Sequence, residues 1–559
     1  MSDVRKTLQS LHAVYQSGDY FKAELGIRDA LTKWPNNADM LRLGALTALG
    51  IKQTVTAHQR LDAAAMAQTE MTAELANIQG RVLKASGDWA AAEEAYTQAV
   101  TLDPGFARAK INRLNLFTVS EQPKRVLEEL ETGFDFAEMG EVARSQALTD
   151  LGRYDEALDV LRGFNSETYA DQILFQRIKC FAALGRFADM REALDSFPLT
   201  SNLYANALNV VVNSFEMRGE REEALAVLET ISTSSPPLAQ LQAAKLLRKL
   251  NETDRAHSAL QVLSENYPDD VDILCDLANA ARLAGNADES CEIYTRALTL
   301  RPGDFEIMSE FAQAAIVAGR FAEAQTLLQS ALGQSPNNQL LLALVATLHR
   351  QMGGDHRRLY DYTNFVRVYD LVPPNGYADM AEFNTALKNT LDELHVYQRA
   401  PINQTLRLGS QTEMDLALID DPVLKSFFEA IDAPIRDYME SVGWDASHPL
   451  LRRNRNTYRI SGAWSVRLSE NGHHLNHVHP MGWLSSAYYV NLPPSVNAQS
   501  REGWIKFGQP ALDVDQAPEH VVQPKAGRLV LFPSYMWHGT IPFSGASTRL
   551  TLPFDVVPA

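Results

Sequence analysis

The sequence has little cysteine and no long apolar run. Only three cysteines occur among its 559 residues, and all three lie in helical patterns without the spacing of a metal site. No stretch approaches about 18 consecutive apolar residues, and the first residues lack the apolar core of a secretion signal. We therefore expect a chain that neither spans a membrane nor is exported, and that works in a reducing cytoplasm.

Positive charge is also scarce. The chain has 51 lysines and arginines against 69 acidic residues, for a net charge of −18. This balance disfavours non-specific nucleic-acid binding, so we expect no nucleic-acid partner. No phosphate-binding glycine loop and no nucleophile elbow occurs, which leaves the common motifs of nucleotide hydrolysis and serine catalysis without support.

The first 345 residues contain an internal repeat with a step of 32–34 residues. Each clear copy begins with Gly and reaches Pro 17 positions later. The clearest copies are GDYFKAELGIRDALTKWP at 18–35, GDWAAAEEAYTQAVTLDP at 87–104, GNADESCEIYTRALTLRP at 285–302 and GRFAEAQTLLQSALGQSP at 319–336. Gly ends the first helix at a tight turn and Pro ends the second, so the repeat predicts a helical hairpin. Each quoted copy covers the turn and the second helix of that hairpin. Small residues such as Ala92 and Ala99 allow the paired helices to approach closely.

These copies resemble tetratricopeptide repeats. The resemblance implies an all-α array of about ten helical hairpins over residues 1–345, stacked as a superhelix with a concave groove. Repeat arrays of this type bind other proteins, so we expect a peptide or protein partner in the groove.

The chemistry of the chain changes near residue 350, and we assign residues 346–559 to a second domain. Five of the seven tryptophans lie in its last 120 residues. We expect a first strand around 363–371, helices over 380–398 and 422–443, and an irregular segment at 403–412. From about 455 short alternating strands are separated by turn residues, which predicts a jelly-roll or double-stranded β-helix barrel core over 455–559.

Four histidines lie within the segment NGHHLNHVHP at 471–480. His477 and His479 are two residues apart, so on an extended strand both imidazoles point to the same face. His538 follows a later apolar strand. Two nearby ligands and one distant ligand would leave open positions on a metal, and Fe(II) accepts imidazole well.

Arg549 and Thr551 share one face of the strand STRLT, 11 residues beyond His538. An arginine that points into a closed barrel needs an anion, because a buried unpaired guanidinium is costly. A carboxylate that accepts two parallel hydrogen bonds from the guanidinium would neutralise this charge. Of Tyr488 and Tyr489 one must face inward, and Tyr488 is our candidate for contacting a co-substrate.

Residues 360–559 resemble the Fe(II)/2-oxoglutarate-dependent oxygenases through GHHLNHVHPMGWLSSAYYVNLP, GRLVLFPSYMWHGTIPF and STRLTLPFDV. The resemblance implies Fe(II) on His477, His479 and His538, and 2-oxoglutarate held by Arg549 and Thr551 with O₂ as the oxidant. It implies no catalytic residue beyond the metal ligands. The wider superfamily has Asp or Glu where this chain has His479, so His479 is either a third ligand or an outer residue. His474 is a candidate for contacting substrate.

The sequence thus predicts a dioxygenase that hydroxylates a peptide or protein side chain recruited by the repeats. Three other functions stay open. The barrel could be a three-histidine dioxygenase that uses no 2-oxo acid, or a degenerate barrel on a binding scaffold. The iron centre could also serve as a sensor of oxygen or iron that reports through the repeats.

Overall fold

A computed structural model describes residues 2–51, 53–67, 70–120, 122–395, 399–402, 404–412 and 414–559. These residues form two compact units, residues 1–176 and 177–559. The first unit is helical, whereas the second contains both further helices and all of the strands described below.

The helices of the first 351 residues follow one another as successive pairs, as the repeat predicts. They are α1 Ser2–Gln16, α2 Tyr20–Lys33, α3 Ala38–Gly50, α4 Thr54–Met66, α5 Ala73–Ala85, α6 Trp89–Leu102, α7 Ala107–Val119, α8 Pro123–Leu130, α9 Ala137–Asp150, α10 Tyr154–Leu161, α11 Ala170–Ala183, α12 Phe187–Asp195, α13 Tyr204–Met217, α14 Arg221–Glu229, α15 Pro237–Lys249, α16 Thr253–Asn266, α17 Val271–Leu283, α18 Ala287–Leu300, α19 Phe305–Val317, α20 Phe321–Gln334 and α21 Gln339–Gln351.

The repeat signature has the physical role that the sequence predicts. Gly87 and Gly285 have φ of +80° and +87°, the left-handed conformation that ends one helix of a hairpin and favours glycine. Ala92 and Ala99 are fully buried on α6, where a larger side chain would separate the packed helices.

The remaining residues form a strand-rich domain with supporting helices. In chain order the elements are α22 Tyr362–Phe365, β1 Arg367–Asp370, α23 Met380–Leu394, β2 Leu406–Gln411, α24 Pro422–Val442, β3 Tyr458–Ala463, β4 Val466–His474, β5 Leu484–Asn491, β6 Ile505–Phe507, β7 His520–Val522, β8 Arg528–Pro533, β9 His538–Thr540, β10 Arg549–Thr551 and β11 Phe554–Pro558. Apolar and polar residues alternate at the start of β4, whereas β5 and β8 are largely buried on both faces.

The strands form two antiparallel sheets. The larger sheet has the order β1-β8-β5-β10-β4-β2, and β11 pairs with both β3 and β5. The smaller sheet has the order β7-β6-β9. Neighbours in the larger sheet are not consecutive in the chain, as expected of a jelly roll. The multidomain fold, a tetratricopeptide-like helical array followed by a strand-rich domain, is confirmed.

Three local predictions need correction. The segment 403–412 was expected to be irregular, but residues 406–411 form β2 at the edge of the larger sheet. Its alternation is hidden because Leu408 has a φ of +56° and the register shifts beside it. The strand expected over 363–371 begins only at Arg367, after the helical turn α22. The helix expected over 380–398 ends at Leu394, and residues 396–398 lie outside the described residues, as does Asn403.

The last repeat helix and the strand-rich domain share one apolar core within the second unit. Leu344 on α21 belongs to the same buried cluster as Phe532 and Trp537. Thr347 Oγ1 accepts a hydrogen bond of 2.9 Å from the Trp537 indole, and Arg350 donates to the Gly508 carbonyl at 2.9 Å. The expected domain boundary at 345/346 lies inside α21 and stays a prediction. Among the described residues, no helix is both long and apolar enough to cross a membrane.

We predict that Thr347→Val destabilises the second unit, because it leaves the buried Trp537 N–H without its acceptor. Such a loss costs about 1–3 kcal/mol, and chemical denaturation of the full chain measures it. Thr326→Val is the matched control, since the Thr326 hydroxyl is exposed and bonds only to the carbonyl of Ala322 on its own helix. Equal unfolding free energies for the two variants would contradict this role of Thr347.

Candidate metal centre

The three histidines that the sequence singles out lie together. One ligand nitrogen from each of His477, His479 and His538 falls within 4.8 Å of the others. The His477 and His479 Nε2 atoms are 3.2 Å apart. Two nitrogens that bind one metal at about 2.0–2.1 Å are about 3 Å apart, so this spacing fits a shared ion.

Backbone hydrogen bonds hold two of these residues in place. The His477 N–H donates to the His538 carbonyl at 2.9 Å, and the His538 N–H donates back to His477 at 3.0 Å. This isolated antiparallel bridge joins the histidine segment to β9 of the smaller sheet. The sequence-distant ligands are therefore adjacent in space.

Each imidazole is oriented through its other ring nitrogen. His477 Nδ1 donates to the Leu475 carbonyl at 2.8 Å, and His538 Nδ1 donates to the Met536 carbonyl at 2.9 Å. His479 Nδ1 lies 2.7 Å from both carboxylate oxygens of Asp555. With the proton on Nδ1, the Nε2 lone pair of each ring is left for a metal.

The site favours neutral imidazoles. Burial, and then the neighbouring His479, lowers the pKa of His477 to about 3. Burial also lowers the pKa of His538 well below its ordinary value. A neutral imidazole is the form that binds metals, so His477 and His538 need no deprotonation at neutral pH.

The histidines open onto a cavity of about 400 Å³. Arg549 and Thr551, both 3% exposed, also line it. Arg549 Nε has no hydrogen-bond partner among the described residues, and the guanidinium lies 5.2 Å from the centre of the Tyr489 ring. A buried cation in this state fits an anion in the cavity, which supports the carboxylate expected from the sequence.

Tyr488 does not line this cavity. Its hydroxyl donates to Asn384 Oδ1 on α23 at 2.6 Å, and its ring packs against Phe427 on α24. Successive strand residues point to opposite faces, and it is the Tyr489 ring that lies beside Arg549. The position of Tyr488 does not favour a contact with a co-substrate in this cavity, and that role stays a prediction.

His474 lies at the end of β4 and lines the same cavity, with its ring centre 5.7 Å from that of His477. Its Nδ1 is 3.3 Å from Thr405 Oγ1. His473 and His474 both belong to β4. His474 is thus close enough to the histidine cluster to contact a molecule bound there.

Sequence reasoning missed Asp555 and Trp464, which also line the cavity. An acidic residue within the apolar strand sequence PFDVV was a usable signal for Asp555, because a buried carboxylate requires a partner. Trp464 gave no such signal, since its ring contributes by packing 5.7 Å from the His479 ring.

Comparisons with known protein families give matches in both the helical repeats and the strand-rich domain. The family described as "Putative 2OG-Fe(II) oxygenase" matches residues 462–555. Tetratricopeptide-repeat families match residues 79–118, 241–305 and 281–348. A chain from a solved structure, "Crystal structure of APC/C hetero-tetramer Cut9-Hcn1", is 15% identical, with 63% of this chain and 70% of that chain covered and a TM-score of 0.31. No match was found among curated proteins.

We predict that the intact protein binds one Co(II) per chain, and that His477→Ala and His538→Ala each lose most of this affinity. Loss of a ligand should exceed the ~10–100-fold cost of removing a partner that only orients a ligand. Titration followed by visible absorption measures it. His520→Ala is the control. His520 lies on β7 of the smaller sheet, where its ring stacks on Tyr362, and it does not line the cavity. Binding unaffected by all three substitutions would exclude this metal centre.

Proposed function

This chain joins tetratricopeptide repeats to a C-terminal domain of the 2OG-Fe(II) oxygenase family, and from that premise we propose that it is an Fe(II)- and 2-oxoglutarate-dependent oxygenase. The observation that carries the proposal is the convergence of three histidines beside a buried arginine whose Nε has no partner among the described residues.

In this proposal His477, His479 and His538 hold Fe(II), while Arg549 and Thr551 hold the far carboxylate of 2-oxoglutarate. With O₂ bound as well, the cofactors supply the oxidising chemistry, in which one oxygen atom enters a substrate C–H bond and the other enters succinate as CO₂ leaves. The protein binds and orients the reactants in the cavity that the histidines line.

The charge of Arg549 selects an anionic co-substrate. Burial lowers the pKa of this guanidinium, so its charged form is costly unless a carboxylate faces it. A planar guanidinium matches the two oxygens of a carboxylate, and the Thr551 hydroxyl on the same face of β10 adds a further donor.

We further propose that the substrate is a peptide or protein side chain recruited by the repeats. A second cavity, of about 530 Å³, lies between repeat residues such as Glu216 and Arg221 and the β2 residues Arg407 and Leu408. The chain next to β2 is bound to α13, because the Arg399 N–H donates to the Met217 carbonyl at 2.9 Å. Thr405, which precedes β2, and Gln411 at the end of β2 line the histidine cavity, so a peptide in this cleft would lie close to the metal.

A reducing compartment suits three cysteines that form no disulfide with one another, two of which are buried. We therefore propose the cytoplasm as the location of the reaction.

The first test is an anaerobic titration of Fe(II) with 2-oxoglutarate, followed by the weak visible charge-transfer band of the complex. We expect the band in wild type and its loss in His477→Ala. Arg549→Gln should weaken 2-oxoglutarate binding by about 2–5 kcal/mol, or ~30-fold and more, because it removes the partner of a buried carboxylate. Arg467→Gln is the control, since Arg467 pairs with Asp392 and does not line the cavity.

The outcomes separate the other functions. Iron binding without the band, and oxygen consumption without succinate, would indicate a three-histidine dioxygenase. Absence of iron binding in wild type would indicate a scaffold with a degenerate barrel. Partner affinity that changes with metal occupancy would indicate a sensor.

We predict that proteins captured by wild type from an extract gain one oxygen atom on a specific side chain when Fe(II), 2-oxoglutarate and O₂ are supplied. His477→Ala should capture the same proteins unmodified, because the repeats are intact. Mass spectrometry of the captured peptides measures both. Succinate production without any modified captured peptide would exclude a protein substrate held by the repeats.

A further inference from the structure

His479 differs from the other two histidines in the partner of its Nδ1 atom. His477 and His538 donate to neutral backbone carbonyls, whereas His479 meets the Asp555 carboxylate, with both oxygens 2.7 Å away. Asp555 lies on β11, which pairs with β5 of the larger sheet. The two ligands with neutral partners are also those joined by the backbone bridge, so His479 is held separately.

The Asp555 carboxylate is itself fixed by hydrogen bonds. The Ser485 hydroxyl donates to Asp555 Oδ1 at 2.7 Å and lies 2.9 Å from the Ser534 hydroxyl. The His479 N–H donates to the Ser534 carbonyl at 3.0 Å. The backbone and the ring of His479 are therefore both attached to one hydrogen-bonded group, which consists of Ser485 on β5, Ser534 directly after β8 and Asp555 on β11.

Close packing around this group restricts its geometry. A Cβ at Gly482 would collide with the Ser534 hydroxyl and lie 3.6 Å from the Asp555 carboxylate carbon. On the other side, the Trp464 ring lies 5.7 Å from the His479 ring. The Asp555 side chain, which is 15% exposed, is thus packed on the Gly482 and Ser534 side, and this packing restricts its movement away from His479.

Charge gives this contact a chemical role. Three neutral imidazoles bring no negative charge to a divalent cation, and Arg549 adds a positive charge to the same cavity. Asp555 is the carboxylate that contacts a ligand ring directly. A carboxylate on the far nitrogen of a bound imidazole makes the ring a stronger donor and fixes its tautomer.

We propose that Asp555 is a positioning residue of the metal centre: it holds His479 with Nε2 directed at the metal and supplies the negative charge that the three imidazoles lack. This inference rests on the proposed function in taking His479 as a ligand. It adds a fourth residue to the centre and makes His479–Asp555 one functional pair.

The test measures Co(II) affinity in the full chain without 2-oxoglutarate or O₂, so it does not depend on turnover. We expect Asp555→Asn to bind about 10–100-fold more weakly than wild type. An asparagine amide can donate to Nδ1 and so move the proton to Nε2, where it blocks the metal. Asp555→Glu keeps the charge and should bind more tightly than Asp555→Asn.

Asp432→Asn is the matched control. Asp432 accepts a hydrogen bond of 2.6 Å from Tyr458 in the same domain, but it does not line the cavity. Its substitution should leave Co(II) affinity unchanged. Thermal unfolding of each metal-free variant shows whether the fold is retained.

A double-variant comparison separates a positioning role from a merely structural one. In a His479→Ala background, Asp555→Asn should change Co(II) affinity by less than about twofold, because Asp555 acts only through that ring. A full additional loss in this background, or no loss in the single variant, would overturn the inference while leaving the metal centre intact. No Co(II) binding by wild type would instead overturn the proposed function.

Discussion

The antiparallel bridge between His477 and His538 is the contact on which the site depends. Two backbone hydrogen bonds join residues 61 positions apart, and they connect the histidine segment to the smaller sheet. Backbone geometry, rather than side-chain flexibility, therefore sets the separation of these two imidazoles. The Nδ1 hydrogen bonds of the two rings then orient them, which leaves both Nε2 atoms available to the same metal.

The last repeat helix stabilises the same region from outside. Trp537, the residue before His538, donates its indole N–H to Thr347 on α21, and Gln516 donates to the Thr347 carbonyl at 2.9 Å. The Tyr360 hydroxyl donates to the carbonyl of Tyr535 at 3.0 Å. Because these contacts are buried within one continuous core, displacing the repeat helix would disturb the chain around His538. The repeats next to the barrel are thus part of the structure that shapes the site.

The parts of the fold that the sequence predicts well are those with a strong local pattern. The Gly and Pro positions of the repeats give the ends of α6 and α18 to within two residues. Strand β8 follows from its continuous apolar run, and β5 follows from the apolar and aromatic segment AYYV. The edge strand β2 was missed, because the positive φ of Leu408 and the shifted register break its alternation. For Tyr488 and Tyr489, alternation shows that one faces inward, but only the sheet pairing shows which one.

The sequence by itself determined the helical repeats, the strand-rich character of the C-terminal part and the identity of the candidate ligands, since each depends on residue type and short-range spacing. Tertiary structure alone decided that Asp555 meets His479, that Tyr489 rather than Tyr488 faces Arg549, and that α21 packs beside His538. These contacts join residues 76, 60 and 190 positions apart. Their physical reason is strand pairing and core packing between distant segments, which no local pattern encodes.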